Sequence, residues 1–298
     1  MGITRRLSPL GAAILLSLLG VLPSGARATA LQSQRTPAVT RSGATGALGP
    51  LITISQTLNN CGPASVAEVL AYWHVYRTQD QTQAVLRGDS SPYGMAPYGV
   101  PTYARSLGLE AMVGAAGTDR LLKALISNGF PVIVSQWVSL AFRVRHYRPI
   151  EAYDDRRRLF VSSDPYLGAG HAITYGEFDA IWSVSDGRFI VIYPRARAAL
   201  LRAVLASTGW DRTRAYGHDL AWEQARMRDH RASGPDTRVP SGWRYYGYPS
   251  LAWDEVELRR FDAARRYLSL AAGHGGNPLL LRWVEDELRY LQSDRSAL

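Results

Sequence analysis

The chain has 298 residues, of which 46% are hydrophobic and 20% charged; this excludes a wholly disordered chain and allows about two domains. The formal charge is +9, yet 33 of the 34 basic residues are arginines scattered along the chain, which predicts a basic surface and no nucleic-acid-binding stripe. A single cysteine excludes an intrachain disulfide framework and multi-thiolate zinc sites, and neither a metal nor a cofactor is expected.

The first segment reads as a secretory signal, residues 1–28. Arg5 and Arg6 precede an apolar run from Leu10 to Leu22, and Pro23-Ser24-Gly25 ends it. The patterns Ala26-Arg27-Ala28 and Ala28-Thr29-Ala30 offer cleavage after Ala28 or Ala30. The run is short of the roughly 20 apolar residues a span needs, so no stable membrane span is expected after cleavage. The expected destination is the periplasm or the exterior. Residues 29–49, rich in Ser, Thr, Gly, Ala and Pro, read as a flexible linker.

Leu51–Ile54 is predicted as a strand entering a site, and Gln56–Asn60 as a polar loop. From Cys61 onward, Val66, Val69, Leu70 and Trp73 share one helical face, and Pro63 suits the first turn. Tyr93–Pro101 reads as loop, Tyr103–Leu107 and Asp119–Ser127 as helices, the second closed by Gly129. The period then shortens towards two. Pro131–Gln136, Arg145–Tyr153 and Leu159–Ser162 are predicted strands, the last two joined through Asp154-Asp155. A short helix over Phe178–Trp182 and a strand over Phe189–Tyr193 complete an α+β domain, residues 50–197. Residues 198–298 read as a small all-α domain, with periodic stretches at Leu220–Arg228, Leu251–Leu270 and Leu279–Leu291 and a break at Gly234–Gly242.

Cys61 opens a helix after a polar loop. The partial positive charge of a helix N-terminus favours a thiolate, although free cysteines are also common as small buried residues. A nucleophile needs a base, and the base an orienting group. Of six histidines, His146 lies on a predicted strand whose returning partner ends at Asp164, and a hairpin of this length can set the two side by side. His171, beside Gly168-Ala169-Gly170, is the main rival; His74 is about three and a half turns along the nucleophile's own helix, too far to serve. Gln56, on the loop before Cys61, could join the Cys61 N–H in an oxyanion hole.

Gln56-Thr57-Leu58-Asn59-Asn60-Cys61-Gly62-Pro63-Ala64-Ser65 resembles the nucleophile segment of the C39-like cysteine peptidases. His146-Tyr147, Tyr153-Asp154-Asp155 and Asp164-Pro165-Tyr166 resemble that family's histidine strand and following Asp-Pro, and Phe178–Trp182 with Phe189–Pro194 its ending. The resemblance covers about Leu51 to Arg197. It implies a papain-like fold, a nucleophile helix packed on an antiparallel sheet, with Cys61 as nucleophile, His146 as general base and acid, Asp164 as orienter and Gln56 as oxyanion donor. The family pattern often sets this glutamine six residues before the cysteine, where here it is five. No transporter span follows, so the double-glycine leader specificity of the exporter members is not carried over.

The expected activity is hydrolysis of peptide or amide bonds in a peptide or protein substrate. The same residues would also serve acyl or peptidyl transfer, and a catalytically silent binding scaffold is the third reading. Specificity would lie in loops such as Ser90–Pro101 and Leu140–Val144. In the helical part, Ala252, Ala264, Leu268 and Ala271 resemble tetratricopeptide packing positions, with Pro278 about two residues late. One such unit is below the roughly three a stable stack needs, so a degenerate repeat docked on the catalytic domain is expected, with a protein partner as one possible role. Trp243, Tyr245, Tyr246, Tyr248 and Trp253 would either bind a ligand or pack between helices.

Overall fold

The computed structural model describes residues 37–49, 51–87, 94–232 and 247–293. The signal-like segment, the Gly234–Gly242 break and Trp243, Tyr245 and Tyr246 lie outside them. So does Ser90–Tyr93.

An antiparallel sheet organises the fold. Its strands are β1 (Thr45–Ala47), β2 (Leu109–Gly114), β3 (Val132–Trp137), β4 (Arg145–Asp154), β5 (Leu159–Asp164), β6 (Gly168–Thr174) and β7 (Phe189–Pro194). Among the described residues the order is β2-β7-β3-β4-β5-β6, and β1 pairs with the far half of β4. The central strands read as near-continuous apolar runs because both faces are covered. In β7, Ile190 and Ile192 face one core, and Phe189, Val191 and Tyr193 face the other.

The first core receives α1 (Cys61–Tyr72), α2 (Gln79–Leu86) and α3 (Val100–Ser106). The second receives α4 (Asp119–Ser127), α5 (Tyr175–Trp182) and α6 (Ala198–Thr208). In α4, Thr118 caps the first turn by accepting the Leu121 N–H at 3.2 Å, and Gly129 takes a left-handed φ of 73° just past its end. Four further helices follow: α7 (Arg212–Ala232), α8 (Tyr248–Glu257), α9 (Phe261–Gly273) and α10 (Pro278–Ser293).

The helical part does not stand apart. Trp253, Val256, Leu280, Trp283, Leu288 and Leu291 share one apolar cluster with Val66, Val69 and Leu70 of α1. Residues Thr36–Leu298 therefore form one unit, and Arg197 marks a change of composition with no break in the core. Gly99 shows how closely the parts meet, since a Cβ there would fall 2.5 Å from the Trp283 ring. Ala252, Ala264, Ala271 and Leu268 are buried packing residues. Trp253 lies 4.9 Å from Tyr98, and Tyr248 stacks on His274 at 5.4 Å, so these two aromatics serve as packing.

Three local expectations change. The linker reading fails at Thr45–Ala47, which is a strand on β4. Leu51–Ile54 joins no ladder; the Ile54 N–H is taken instead by Glu68 Oε1 of α1 at 2.7 Å. Pro97–Gly99 is a 3₁₀ turn and α3 begins at Val100, where two prolines suggested loop; proline is tolerated in a first turn because no intrahelical partner exists for its missing N–H.

Candidate active site

Cys61 is the first residue of α1, and Asn60 before it is buried. The Asn60 side chain does not cap α1. It bonds Thr57 Oγ1 at 2.8 Å and Gln83 Oε1 at 2.5 Å, and accepts from Arg87 at 2.8 Å. These bonds fix the loop, and the Gly62 N–H of the first turn donates to the sulfur. Gly62 is required by contact: a Cβ would lie 2.7 Å from Met95 Cβ.

His146 is the second residue of β4, buried beside Cys61, and the two side chains are hydrogen-bonded. Its Nε2 meets Asp164 Oδ1 at 2.9 Å, which leaves Nδ1 for the sulfur. The pairing of Ile150 with Ser162, continued along the strands, sets Arg148 level with Asp164 and His146 one pleat further on. The β5–β6 register shifts between Ser162 and Asp164, where Ala169 and Gly170 of β6 stand opposite Ser163 alone, so the ladder is irregular next to the carboxylate that meets the imidazole. Asp164 Oδ1 also accepts the Tyr166 and Leu167 N–H groups, at 2.7 and 2.9 Å. Its Oδ2 is ion-paired with Arg148 Nε at 3.0 Å, both side chains being fully buried.

The electrostatics follow from these contacts. Burial would raise the Asp164 carboxyl, but the His146 hydrogen bond and charge, with Arg148 and the Leu167 N–H, hold it at about 2. Burial would lower His146, and the bonds to Asp164 and Cys61 outweigh it, so the imidazole is raised. Burial would raise the Cys61 thiol, and the His146 bond and charge with the Tyr147 and Gly62 N–H groups bring it below its ordinary value. The three shifts run in the directions that favour charge on the thiol, the imidazole and the carboxylate together.

Gln56 is half-buried and tied to the same neighbourhood, since its N–H donates to Pro165 O at 2.9 Å. Its side-chain Oε1 is buried without a hydrogen-bond partner. His171 lies on β6 opposite Ser162, with β5 between it and β4. Burial and the Arg148 charge lower its pKa, and the thiol's imidazole partner is His146. His74 sits beyond the far end of α1 in a left-handed conformation. Among the described residues, no group of three or more His, Cys, Asp or Glu side chains is placed to hold a metal ion.

Two neighbours escaped the sequence reading. Arg148 is two residues past His146 on one strand, hence on the same face, and that alternation was available as a signal. Glu68, buried in α1, accepts the Ile54 N–H at 2.7 Å and lies by the Ser163 hydroxyl, which is 2.6 Å from Thr53 Oγ1. Burial pushes its carboxyl up to about 8 against these two bonds.

Residues 48–188 match the model of the Peptidase_C39 like family. This part of the chain, an antiparallel sheet with helices on its faces continued by further helices, is similar to that family over the matched residues. Similar solved structures include a double glycine motif protease from an AMS/PCAT transporter in complex with the leader peptide: 25% identity, TM-score 0.40, 52% of this chain and 96% of that one. The peptidase domain of Streptococcus ComA, a bi-functional ABC transporter involved in a quorum sensing pathway, is 20% identical over 48% of this chain and 97% of that one, with a TM-score of 0.39. A C39-like peptidase from Bacillus anthracis is 15% identical over 51% and 98%, with a TM-score of 0.43. No curated protein sequence matches the chain.

Proposed function

We propose that the chain is an exported cysteine peptidase that hydrolyses peptide or amide bonds through Cys61, His146 and Asp164. The observation that carries the reading is the imidazole shared between a helix-terminal thiol and a buried carboxylate, 2.9 Å from the latter. The match of residues 48–188 to a peptidase family supports it. Cys61 Sγ bonds to the substrate carbonyl carbon, and the oxyanion meets N–H donors at the start of α1 with the Gln56 amide. The C–N bond then breaks as the proton on His146 passes to the leaving nitrogen. Water, deprotonated by His146, adds to the thioester carbonyl and releases the acid and the thiolate. Asp164 keeps the ring oriented and favours its charged form.

The test is the rate of Cys61 alkylation by iodoacetamide against pH, in wild type and His146→Ala. The wild type is expected to react quickly well below the free-thiol pKa of about 8.5, and the variant only near it. Coincident profiles that rise only near 8.5 would refute the pair and leave an inactive scaffold. In peptide hydrolysis, Cys61→Ala is expected to have no activity; retained turnover removes the mechanism. Added amines that capture the acyl group efficiently would assign transfer instead of hydrolysis. Export is tested by the N-terminus of protein recovered outside the cytoplasm, expected at Thr29 or Leu31; an intact Met1 there overturns signal cleavage.

A further inference from the structure

The leaving nitrogen must come within hydrogen-bond reach of His146 to take its proton. Side chains around that imidazole, away from α1, therefore face the residue that carries this nitrogen, the one on the carboxyl side of the broken bond. Two loops flank the ring there. The β3–β4 loop presents Leu140, Phe142 and Val144, and the loop after Asp164 presents Tyr166 and Leu167. These are five of the ten exposed large hydrophobics among the described residues, and Phe142 and Tyr166 are 48% and 56% exposed. Concentration of exposed apolar side chains in one place marks a binding surface.

The geometry ties this patch to the reacting atoms. The Tyr166 ring is 6.4 Å from the His146 ring and set edge-on at 70°, and Phe142 is 6.3 Å from Tyr166. Both loops are held in place. Val138 N donates to Val144 O at 3.0 Å, Ser139 N to Phe142 O at 3.2 Å, and Phe142 N to Ser139 Oγ at 3.0 Å. The Tyr166 and Leu167 N–H groups are fixed by the same carboxylate oxygen that orients His146. A surface ordered in advance loses little entropy when a ligand side chain lands on it.

We propose that Phe142 and Tyr166, flanked by Leu140, Val144 and Leu167, form an apolar subsite for the residue after the scissile bond. The enzyme would then select peptides with a bulky apolar or aromatic residue at that position. The proposal rests on the peptidase reading above. It concerns the leaving side of the substrate and assigns nothing on the acyl side.

The test is a peptide library that varies only the residue after the scissile bond. For wild type, kcat/KM is expected to be about tenfold to a hundredfold higher with Leu or Phe than with Gly, the scale of burying one such side chain. That ratio is expected to fall towards one in Phe142→Ser and in Tyr166→Ser, and to survive in Phe142→Leu and Tyr166→Phe. Leu270→Ser, which removes an exposed apolar side chain of α9, is the control for any surface change. Wild-type cleavage without the preference overturns the subsite and leaves the peptidase reading standing. So does a preference that persists in both serine variants. Failure to cleave any library member overturns the subsite together with that reading.

Discussion

Two of the clusters of buried charge among the described residues differ in what they face. One is Cys61, His146, Asp164 and Arg148, open on the sulfur side, where Cys61 is half-buried beside exposed loops. The other joins the sheet to the helical part. There Arg188 pairs with Asp219 at 2.6 Å and with Glu223 at 3.7 Å and bonds Tyr98 Oη at 2.8 Å, and Tyr98 donates to Ser250 at 2.7 Å. Asp254, wholly buried nearby, is raised well above the carboxylate range by burial and by Asp219. Burial depth is similar in both clusters. What distinguishes the first cluster is its half-buried thiol bonded to an imidazole; the second ties the sheet to the helical part as a strut.

The comparison is broken most strongly at Asp164. Asp164→Asn removes the charge that orients His146 and leaves Arg148 buried without its counter-ion. Both losses are expected: Cys61 alkylation at neutral pH slows by about ten- to a hundredfold, and stability drops by about 3–5 kcal/mol in urea unfolding. Adding Arg148→Met to that variant is expected to recover much of the stability and none of the reactivity. Recovery of both would mean that Asp164 contributes packing alone.

At the strut, Arg188→Met leaves Asp219 and Glu223 uncompensated. Its expected cost is also about 3–5 kcal/mol, but the pH profile of Cys61 alkylation is expected to stay with the wild type in the folded protein. A shifted profile would show that the two clusters are coupled across β3 and β7.

A smaller effect contrasts Asp164 of the first cluster with Glu68 beside it. Glu68 binds its proton more tightly folded, at about 8, than unfolded, at its ordinary 4.5. Its contribution to stability is therefore full below about pH 4.5 and is lost as pH rises through about 8. Asp164 runs the other way: its contribution is present above its ordinary 3.8 and is lost as pH falls through about 2. Thermal unfolding of Glu68→Gln is expected to lose the decline between pH 5 and 8 and to keep the acid limb. An unaltered decline assigns it to another group. The smallest change is Gly62→Ala, whose Cβ would press on Met95; a loss of about 1–3 kcal/mol is expected in the same measurement.

Much of this was legible in the sequence because local period and site chemistry agreed. A helix opening on Cys61 and a strand hairpin from His146 to Asp164 are both written in alternation and in turn residues. Glu68 was hidden because an acidic residue within an apolar helix reads as a solvent-facing position, and only the fold shows Ile54 brought to it. Strand β2 mixes Glu110 with small residues, and β6 carries two glycines, so neither has a strong period-two signal. Leu51–Ile54 has strand composition, yet Glu68 and not a neighbouring strand takes its N–H. The helical part reads as helices docked on the sheet domain, and the structure shows how far the docking goes, to a shared apolar cluster. Hydrophobic periodicity reports that a face is buried, never against what.

Strand β6 forms one edge of the sheet, and it is mostly exposed. An open edge of this kind invites a second molecule to add a strand. Gly168 and Gly170 hold φ values of +100° and +66°, a conformation that no regular ladder can copy. The outer rim of the sheet is thereby made a poor template for self-association, and the glycines that obscured the strand in the sequence are a guard against aggregation.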